Sequence, residues 1–272
     1  MIFFREAKKM RLPIFQIDAF ADRPFAGNPA AVMPLETWLP EATLQSIALE
    51  NALSETAFFV REGDGYRIRW FTPACEVDLC GHATLASAFV LFTELEPGRQ
   101  EVTFSSASGP LVVRRSGERL VLDFPSRPPA MLGPVQGLAE ALGAEPLELW
   151  KARDILAVFA SEAQVRALRP DMSKLAEIDA FAVIVTAPGD EADFVSRFFA
   201  PRTGVPEDPV TGSAHTTLTP FWAKRLGKPS LHALQVSGRG GELFCEDQGD
   251  RVAIAGRAVK VLEGTFLLEG TP

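Results

Sequence analysis

Basic residues are in deficit in this sequence. The 272 residues include 27 Lys and Arg against 35 Asp and Glu, which gives a formal net charge of −8. A protein that binds nucleic acid needs a basic surface that neutralises the phosphates. The charge balance therefore predicts that this protein has no nucleic-acid partner.

Cysteine is also scarce, with three residues at positions 75, 80 and 245. They are too few and too unevenly spaced for a disulfide framework, so we expect a reducing, cytoplasmic location. Cys75, Cys80 and His82 lie close together along the chain. One His and two Cys without a matching downstream pair make only a weak zinc motif, and we therefore expect no metal ion.

Long apolar runs are missing as well. No stretch of the sequence is long enough to span a membrane, so we expect no membrane partner. Residues 1–9 lack the apolar core of a signal peptide, and we interpret them as an extension before a start at Met10. The composition, 47% hydrophobic and 23% charged, is that of a globular chain with one large domain or two of moderate size.

One pattern of strand, loop and helix occurs twice in the sequence. The first copy comprises residues 69–88 and the second residues 197–215, about half a chain apart. In each copy an Arg-aromatic strand and a proline precede an acidic loop, and a glycine, Gly81 or Gly212, begins an apolar helix. This long period predicts a duplicated domain. Two helix N-termini from equivalent halves would meet at one cleft, where their free N–H groups favour a carboxylate ligand.

The proline-rich segment 124–130 is the best candidate for a linker between the two copies. We predict an N-terminal half at residues 11–124 and a C-terminal half at residues 131–257. The last strand, within 258–272, could return to the first half. Each half is predicted to have several strands around one central apolar helix, which makes the fold class mixed α/β.

Glu55 is the strongest candidate for a catalytic residue. In the predicted strand from Leu53 to Val60, the period of two places Leu53, Glu55, Ala57 and Phe59 on one face. A carboxylate among apolar neighbours is desolvated, which raises its pKa towards a range useful for acid/base catalysis. The alternative is that Glu55 lies at the start of the strand and faces water.

The residues that open the two helices are the next candidates. Glycine lets a ligand approach the backbone closely, and His82 after Gly81 or Ser213 after Gly212 adds a side-chain donor. For one copy alone, helix capping or a core histidine explains these residues equally well. The occurrence of both copies favours a substrate-binding site.

Two further polar residues precede buried elements. Asp208 lies in the acidic loop before the second helix and could orient a substrate or hold a proton, although it could also be a turn carboxylate before a proline. Asn28 is assigned to substrate binding, although its simplest interpretation is a turn residue. We expect Glu55, His82 and Asp208 to line one cleft. Of the two carboxyls, we expect Glu55 to keep its proton near neutral pH, because Asp208 lies in a polar loop.

Five segments together resemble the phenazine biosynthesis-like (PhzF-type) family, which is related to diaminopimelate epimerase. They are Phe15–Phe20, Gly27–Val32, Leu53–Ala57, Cys80–Leu85 and Gly204–His215. The resemblance implies two similar α/β domains, each a curled, mostly antiparallel sheet around a central helix. It also implies an active site between the domains and, usually, a homodimer.

The same resemblance implies a cofactor-independent isomerase of a biosynthetic process, in which a glutamate moves a proton on a small carboxylate-bearing metabolite. Carried over by position, that glutamate is Glu55, and the supporting residues are His82, Asp208, Gly212 and Ser213.

The sequence departs from the epimerase relatives, which use one thiol at each helix start. Cys80 occupies the first position, but Thr211 occupies the second, and a hydroxyl cannot replace a thiolate as a base. Racemisation by two thiols is therefore not expected. An epimerase that uses Cys80 with Glu55, and a binding protein without turnover, stay open as alternatives.

Overall fold

A computed structural model describes residues 10–268 of the chain, which form eighteen strands and six α-helices. The predicted extension before Met10 and the end of the predicted last segment, beyond residue 268, lie outside the described residues. The strands are β1 (Met10–Ala19), β2 (Asn28–Leu35), β3 (Glu55–Glu62), β4 (Gly65–Phe71), β5 (Glu76–Val77), β6 (Glu101–Ser106), β7 (Gly109–Ser116), β8 (Arg119–Pro125), β9 (Ala130–Leu132), β10 (Glu148–Lys151), β11 (Ile155–Val158), β12 (Val183–Pro188), β13 (Phe194–Ala200), β14 (Val205–Asp208), β15 (Ser230–Gln235), β16 (Gly241–Asp247), β17 (Arg251–Gly256) and β18 (Ala258–Leu268). The helices are α1 (Glu41–Asn51), α2 (Gly81–Val90), α3 (Leu138–Leu142), α4 (Glu162–Ala167), α5 (Met172–Glu177) and α6 (Gly212–Leu226). A π-helical turn (Leu91–Leu95) continues α2, and a 3₁₀ turn (Pro201–Thr203) precedes β14.

The strands form one hydrogen-bonded network with two arms. The arms meet where β8 pairs antiparallel with β17. From this junction the N-terminal arm continues through β7, β6, β4, β3, β2, β1 and β18. The C-terminal arm continues through β16, β15, β13, β12, β11, β10 and β9. Both arms therefore skip one strand at the same step, from β6 to β4 and from β15 to β13.

The directions of the strands repeat in the same way. In the N-terminal arm β4 pairs parallel with β6, and β2 pairs parallel with β3. Their counterparts, β13 with β15 and β11 with β12, are also parallel, while the remaining pairs are antiparallel. The mixed, mostly antiparallel and pseudo-symmetric fold predicted from the sequence is therefore confirmed.

Each arm ends in a strand that the chain enters directly from the other arm. β9 follows β8 along the sequence but pairs with β10, and β18 follows β17 but pairs antiparallel with β1 along the whole of Met10–Ala19. The chain therefore crosses between the arms twice. The boundaries at residues 124, 131 and 257 stay a prediction.

Helices α2 and α6 are the central elements of the two arms. Neither helix has an Asp, Glu, Lys or Arg in its first two turns, and α2 is buried almost all round, with Ala83, Leu85, Ala86 and Ala88 in the principal core. A helix that is apolar on every face is stable only when protein encloses it completely. The curled sheet provides that enclosure, and each large apolar side chain buried there contributes about 1.5–3 kcal/mol.

The other helices cover the outer faces of the sheet. Helix α1 packs Leu44 and Ile47 against Phe58 and Phe71 of the N-terminal arm. Helices α3, α4 and α5 make an equivalent layer on the C-terminal arm. Within residues 10–268, no helix is long and apolar enough to cross a membrane.

Candidate active site

The N-termini of the two central helices are in contact. A Cβ atom built on Gly81 would lie 3.8 Å from the Cα of Gly212, and one built on Gly212 would lie 3.9 Å from the Cα of Gly81. In the described part of the chain, neither N-cap side chain, Cys80 or Thr211, makes a capping hydrogen bond. The first N–H groups of both helices therefore remain available to an anion at the junction.

Glu55 lies beside this junction, at the first residue of β3. Its side chain is 17% exposed, and its Oε2 atom is 3.0 Å from Nε2 of the buried His82. Apart from this contact, Oε2 has no hydrogen-bond partner among residues 10–268. Glu55 thus faces His82 instead of open water, and one oxygen keeps a lone pair free for a ligand.

Asn28 links the two halves of the molecule. It is the first residue of β2, fully buried, and its Nδ2 atom lies 3.2 Å from His82 Nδ1. The same amide donates to Oδ1 of Asp208 at 2.7 Å and to the carbonyl of Val210 at 2.9 Å. The turn predicted at Asn28 is therefore wrong, because the residue is already paired in the sheet and its amide crosses to the other half.

Asp208 is the last residue of β14, and its second carboxyl oxygen accepts a hydrogen bond of 2.5 Å from the Thr211 hydroxyl. Burial raises the pKa of Asp208 to about 6, although the charge of His82 and the Thr211 donor act against it. The polar loop predicted for Asp208 is therefore wrong, because β14 carries the carboxyl inwards against Asn28. The sequence predicted that Glu55, and not Asp208, would hold a proton near neutral pH; with a pKa of about 6, Asp208 is mostly ionised at pH 7 and takes up its proton in mildly acidic solution.

Cys80 completes the cluster at the start of α2. Its Sγ atom lies 3.5 Å from Nδ1 of His82. Burial raises the pKa of the Cys80 thiol, and the negative charge of Glu55 adds to the effect. Burial alone would lower the pKa of His82, but Cys80 and Glu55 outweigh it and hold that pKa well above its usual value. Both neighbours thus favour the protonated form of His82, and burial favours the protonated form of the Cys80 thiol.

Ser213 lies beside Gly212 on α6, where its hydroxyl accepts a hydrogen bond of 3.4 Å from Arg153. The Arg153 guanidinium is held by a two-fold contact with the buried carboxylate of Asp154. Nothing in the sequence around Arg153 signals a site, since its contact with Ser213 spans 60 residues. Arg153 is thus a cation near the helix junction that the sequence patterns missed.

Gln235, on β15, is a second residue that sequence reasoning missed. Its amide donates to the main-chain carbonyl of Asp208 at 2.8 Å and to the Thr211 hydroxyl at 3.2 Å. Its carbonyl oxygen accepts the Thr211 N–H at 2.8 Å. Gln235 therefore fixes the segment between β14 and α6, and it orients the Thr211 hydroxyl towards Asp208.

The other two histidines lie apart from this cluster. His215 is buried inside α6, where burial lowers its pKa to about 4, so its ring is neutral. Its Nδ1 atom lies 2.9 Å from the carbonyl of Thr211. His232 pairs with Glu242 on the neighbouring strand at 2.9 Å. The structure therefore brings together Glu55 and His82, with the other predicted residues around them.

Known proteins resemble this chain over most of its length. The family model described as phenazine biosynthesis-like protein (PhzC-PhzF) matches residues 17–264. An uncharacterized isomerase of Pseudomonas aeruginosa is 54% identical over 260 residues, which cover 95% of this chain and 100% of the relative. Isomerase chemistry is thereby supported at the level of the family.

Solved structures extend the comparison. The crystal structure of a phenazine biosynthesis protein of the PhzF family from Enterococcus faecalis is 49% identical, with a TM-score of 0.94 over 95% of this chain and 100% of that one. A hydroxyproline epimerase from Agrobacterium vitis shares the fold alone, with 11% identity and a TM-score of 0.61 over 99% of this chain and 95% of that one. With a family model over most of its length and relatives above half identity, this chain belongs to the phenazine biosynthesis-like (PhzC-PhzF) protein family.

Proposed function

We propose that this protein is a cofactor-independent isomerase that moves a proton on a small carboxylate-bearing metabolite, with Glu55 as acid and base. One observation carries the proposal. The Oε2 atom of Glu55 is buried 3.0 Å from His82, with no other hydrogen-bond partner in the described part of the chain, beside the junction of two uncapped helix N-termini. A carboxylate in that position can accept a proton from carbon while the helix starts hold an anionic substrate.

The substrate carboxylate would bind at the start of α6. The N–H groups beyond Gly212 and the hydroxyl of Ser213 are donors there, and the Arg153 guanidinium 3.4 Å from that hydroxyl adds positive charge. Gly81 and Asn28 complete the cradle from the other half. An acidic protein with a net charge of −8 needs such a local concentration of donors to bind an anion.

The proton transfer then needs one group that both accepts and donates. Glu55 Oε2 takes a proton from a carbon of the substrate, and the electron pair of that C–H bond moves into the conjugated carboxylate system. The same oxygen returns the proton to a second carbon. Protonated His82 stabilises the Glu55 carboxylate before the transfer, and Asp208 steadies this arrangement through Asn28.

Isotope exchange tests the proposal, because it detects proton transfer at carbon in any carboxylate that the protein accepts. The protein is incubated in D₂O with a panel of small unsaturated and α-hydrogen carboxylates, and deuterium on carbon is measured by NMR. We expect labelling by the natural chain and a loss of about 10²–10⁴-fold in Glu55→Gln, with ligand binding retained. Glu62→Gln, on the exposed end of the same strand, is the control that keeps full labelling.

The outcomes separate the alternatives. Labelling by Glu55→Gln at the natural rate would rule out the glutamate mechanism. Ligand binding by the natural chain without labelling of any bound compound would favour the binding protein of the same fold.

An epimerase that uses Cys80 with Glu55 is the second candidate. The observation in its favour is that both groups flank His82, with Cys80 Sγ at 3.5 Å and Glu55 Oε2 at 3.0 Å from the ring nitrogens. Thr211 lies at the equivalent position of the other half. Its hydroxyl donates a hydrogen bond to Asp208, so it is not free to act as a base. A chiral assay of the labelled product distinguishes inversion from isomerisation.

The homodimer and the cytoplasmic location implied by the sequence are part of the same proposal. Sedimentation of the purified chain over a range of concentrations tests the dimer. A monomer at every concentration would contradict it.

A further inference from the structure

Three side chains of the kind that bind metal ions converge beside the helix junction. A carboxylate oxygen of Glu55, the sulfur of Cys80 and a ring nitrogen of His82 all lie within 4.8 Å of one another. The sequence spacing drew attention to Cys75 as a partner of Cys80 and His82. In the structure Cys75 is exposed and turns back to Thr72, so Glu55 of the neighbouring strand is the third member of the cluster.

The distances within the cluster suit a single tetrahedral ion. Zinc–ligand bonds of about 2.0–2.3 Å at tetrahedral angles separate nitrogen from oxygen by about 3.4 Å and nitrogen from sulfur by about 3.6 Å. Here His82 Nε2 lies 3.0 Å from Glu55 Oε2 and 4.0 Å from Cys80 Sγ. The third separation, between the Glu55 oxygen and the Cys80 sulfur, is within 4.8 Å, so the side chains would close in around the ion as it binds.

A buried oxygen atom in the cluster also points to a ligand. Glu55 Oε2 lies 3.0 Å from His82 Nε2 and has no other polar partner in residues 10–268. A polar atom left in this state is costly unless a ligand satisfies it.

The charges of the ligands and the soft sulfur of Cys80 favour zinc over other divalent ions. Cys80 and Glu55 can each supply one negative charge, and the thiolate is a soft ligand that prefers zinc over magnesium or calcium. Cys80 and His82 are both buried, which limits competition from water. A thiolate, an imidazole and a carboxylate leave a fourth tetrahedral position for water or for a group of a ligand.

We propose that Glu55, Cys80 and His82 form a binding site for one zinc ion, with His82 Nε2 as the nitrogen ligand and the fourth position open. On binding, a Zn–S bond replaces the S–H bond of Cys80 and a Zn–N bond replaces the Nε2–H bond of the protonated His82, and both released protons go to solvent. If the proposed isomerase function holds, the ion binds the Glu55 oxygen that would otherwise move the substrate proton. The ion is therefore an inhibitor.

Cobalt(II) as a probe tests the site directly. The untagged protein, stripped with a chelator and kept reduced, is titrated with Co²⁺ and followed by absorption spectroscopy. We expect one equivalent to give a thiolate-to-cobalt charge-transfer band and the strong visible bands of tetrahedral coordination, both abolished by one equivalent of Zn²⁺. Cys80→Ala and Cys80→Ser should each abolish the charge-transfer band.

The affinity of single variants for Zn²⁺ shows which residues are ligands of the ion. It is measured by competition with a chromophoric chelator. Glu55→Gln and His82→Gln should each weaken binding by more than about 100-fold, beyond the 10–100-fold typical of a residue that only supports a ligand. Cys75→Ala and His232→Gln are the matched controls, because they remove an exposed thiol and a surface His–Glu pair and should leave binding unchanged. Circular dichroism confirms that each variant is folded.

The opposite results would overturn the proposal. These are a charge-transfer band that survives in Cys80→Ala, a band lost in Cys75→Ala, or no saturable Co²⁺ binding by the natural chain. Because the titration contains no substrate, a failure of the isomerase function leaves its outcome unaffected.

Discussion

His82, Asn28 and Asp208 share one set of contacts at the scale of single residues. The amide of Asn28 touches the ring of His82 and the carboxyl of Asp208, at 3.2 and 2.7 Å. In a partly buried network of this kind, a proton gained by one group changes the proton affinity of the others. The protonation of the two halves of the site is therefore coupled through a single side chain.

Asp208 should make the stability of the protein depend on pH. Burial raises its pKa from 3.8 to about 6, so the folded state binds this proton more tightly than the unfolded state. Its contribution is fully present below pH 3.8 and is lost as the pH rises through about 6. Relative to Asp208→Asn, the natural chain should lose at most about 3 kcal/mol of unfolding free energy over that interval. Urea unfolding at several pH values measures the difference, and a constant difference would contradict the raised pKa.

Cys80 should be dispensable for the proposed reaction. Burial raises the pKa of its thiol, so little thiolate is present near neutral pH to act as a base. Cys80→Ala should keep deuterium exchange within about tenfold of the natural rate, because Glu55 and His82 remain. A loss of several orders of magnitude would instead favour the thiol epimerase.

Part of this site could be predicted from the sequence, and part could not. The period of two along β3 was sufficient to single out Glu55, since the inward face of a strand is a local property. The burial of Asp208 was not predictable, because it depends on contacts across 180 residues with Asn28. The contacts of Gln235 and Arg153 also join segments that are remote along the chain.

At the scale of elements, helix α6 contains a proline in its interior, yet the carbonyl that this proline cannot bond still accepts a hydrogen bond. Pro220 has no N–H to donate to the carbonyl of Thr216, one turn earlier. The main-chain N–H of Arg127 donates to that carbonyl instead, at 2.9 Å. The linker between the halves thus satisfies the acceptor that the proline leaves.

Pro220→Ala should therefore change stability little. Removal of a proline from a helix interior usually gains about 3 kcal/mol, but here the new N–H would compete for an acceptor that is already bonded. We expect a change below about 1 kcal/mol in urea unfolding. Arg127→Ala is the matched control and should also be neutral, because the donor is a main-chain group. A gain of the full magnitude in Pro220→Ala would show that the linker contact is weak.

Elements with a strong local pattern were the ones predicted correctly. The helices predicted to begin at Gly81 and Gly212 begin there in the structure, and the predicted strand from Leu53 to Val60 overlaps β3, because apolar spacing alone identifies them. Two segments differ: Asn28 and Pro29 begin β2, and β14 lies in the predicted acidic loop. Both contain proline, which favours a loop locally, but their neighbours in the sheet hold them extended.

At the scale of the whole molecule, the two halves are also fastened next to the site. Arg239, in the loop after β15, pairs with Asp18 of β1 at 2.9 Å, and the Asp18 side chain is only 2% exposed. Arg239 also donates to the carbonyls of Ala26 and Gly27, at 3.0 and 2.9 Å. Asn28 directly follows Gly27, so the same contacts that join the halves also position the bridging amide.

Arg239→Ala should weaken both folding and ligand binding. It leaves the buried Asp18 carboxylate with the main-chain N–H of Phe25 but no cation, a loss that we expect to cost about 2–3 kcal/mol of unfolding free energy. Arg251→Ala is the matched control. It breaks an ion pair of the same length, 2.9 Å to Asp123, that also joins the halves but is much more exposed, and it should cost less than about 1 kcal/mol.

A second substitution separates the charge of Asp18 from the packing of the loop. If an unpaired buried charge causes the instability, Asp18→Asn added to Arg239→Ala should recover at least half of the lost unfolding free energy, since a neutral amide costs less to bury than a carboxylate. Ligand affinity should not recover with it, because the carbonyls of Ala26 and Gly27 still lack their donor and Asn28 is still less firmly held. Recovery of both quantities together would mean that Arg239 acts on the site only through overall stability. Recovery of neither would mean that its main role is to hold the loop, and the charge of Asp18 would then be a minor factor.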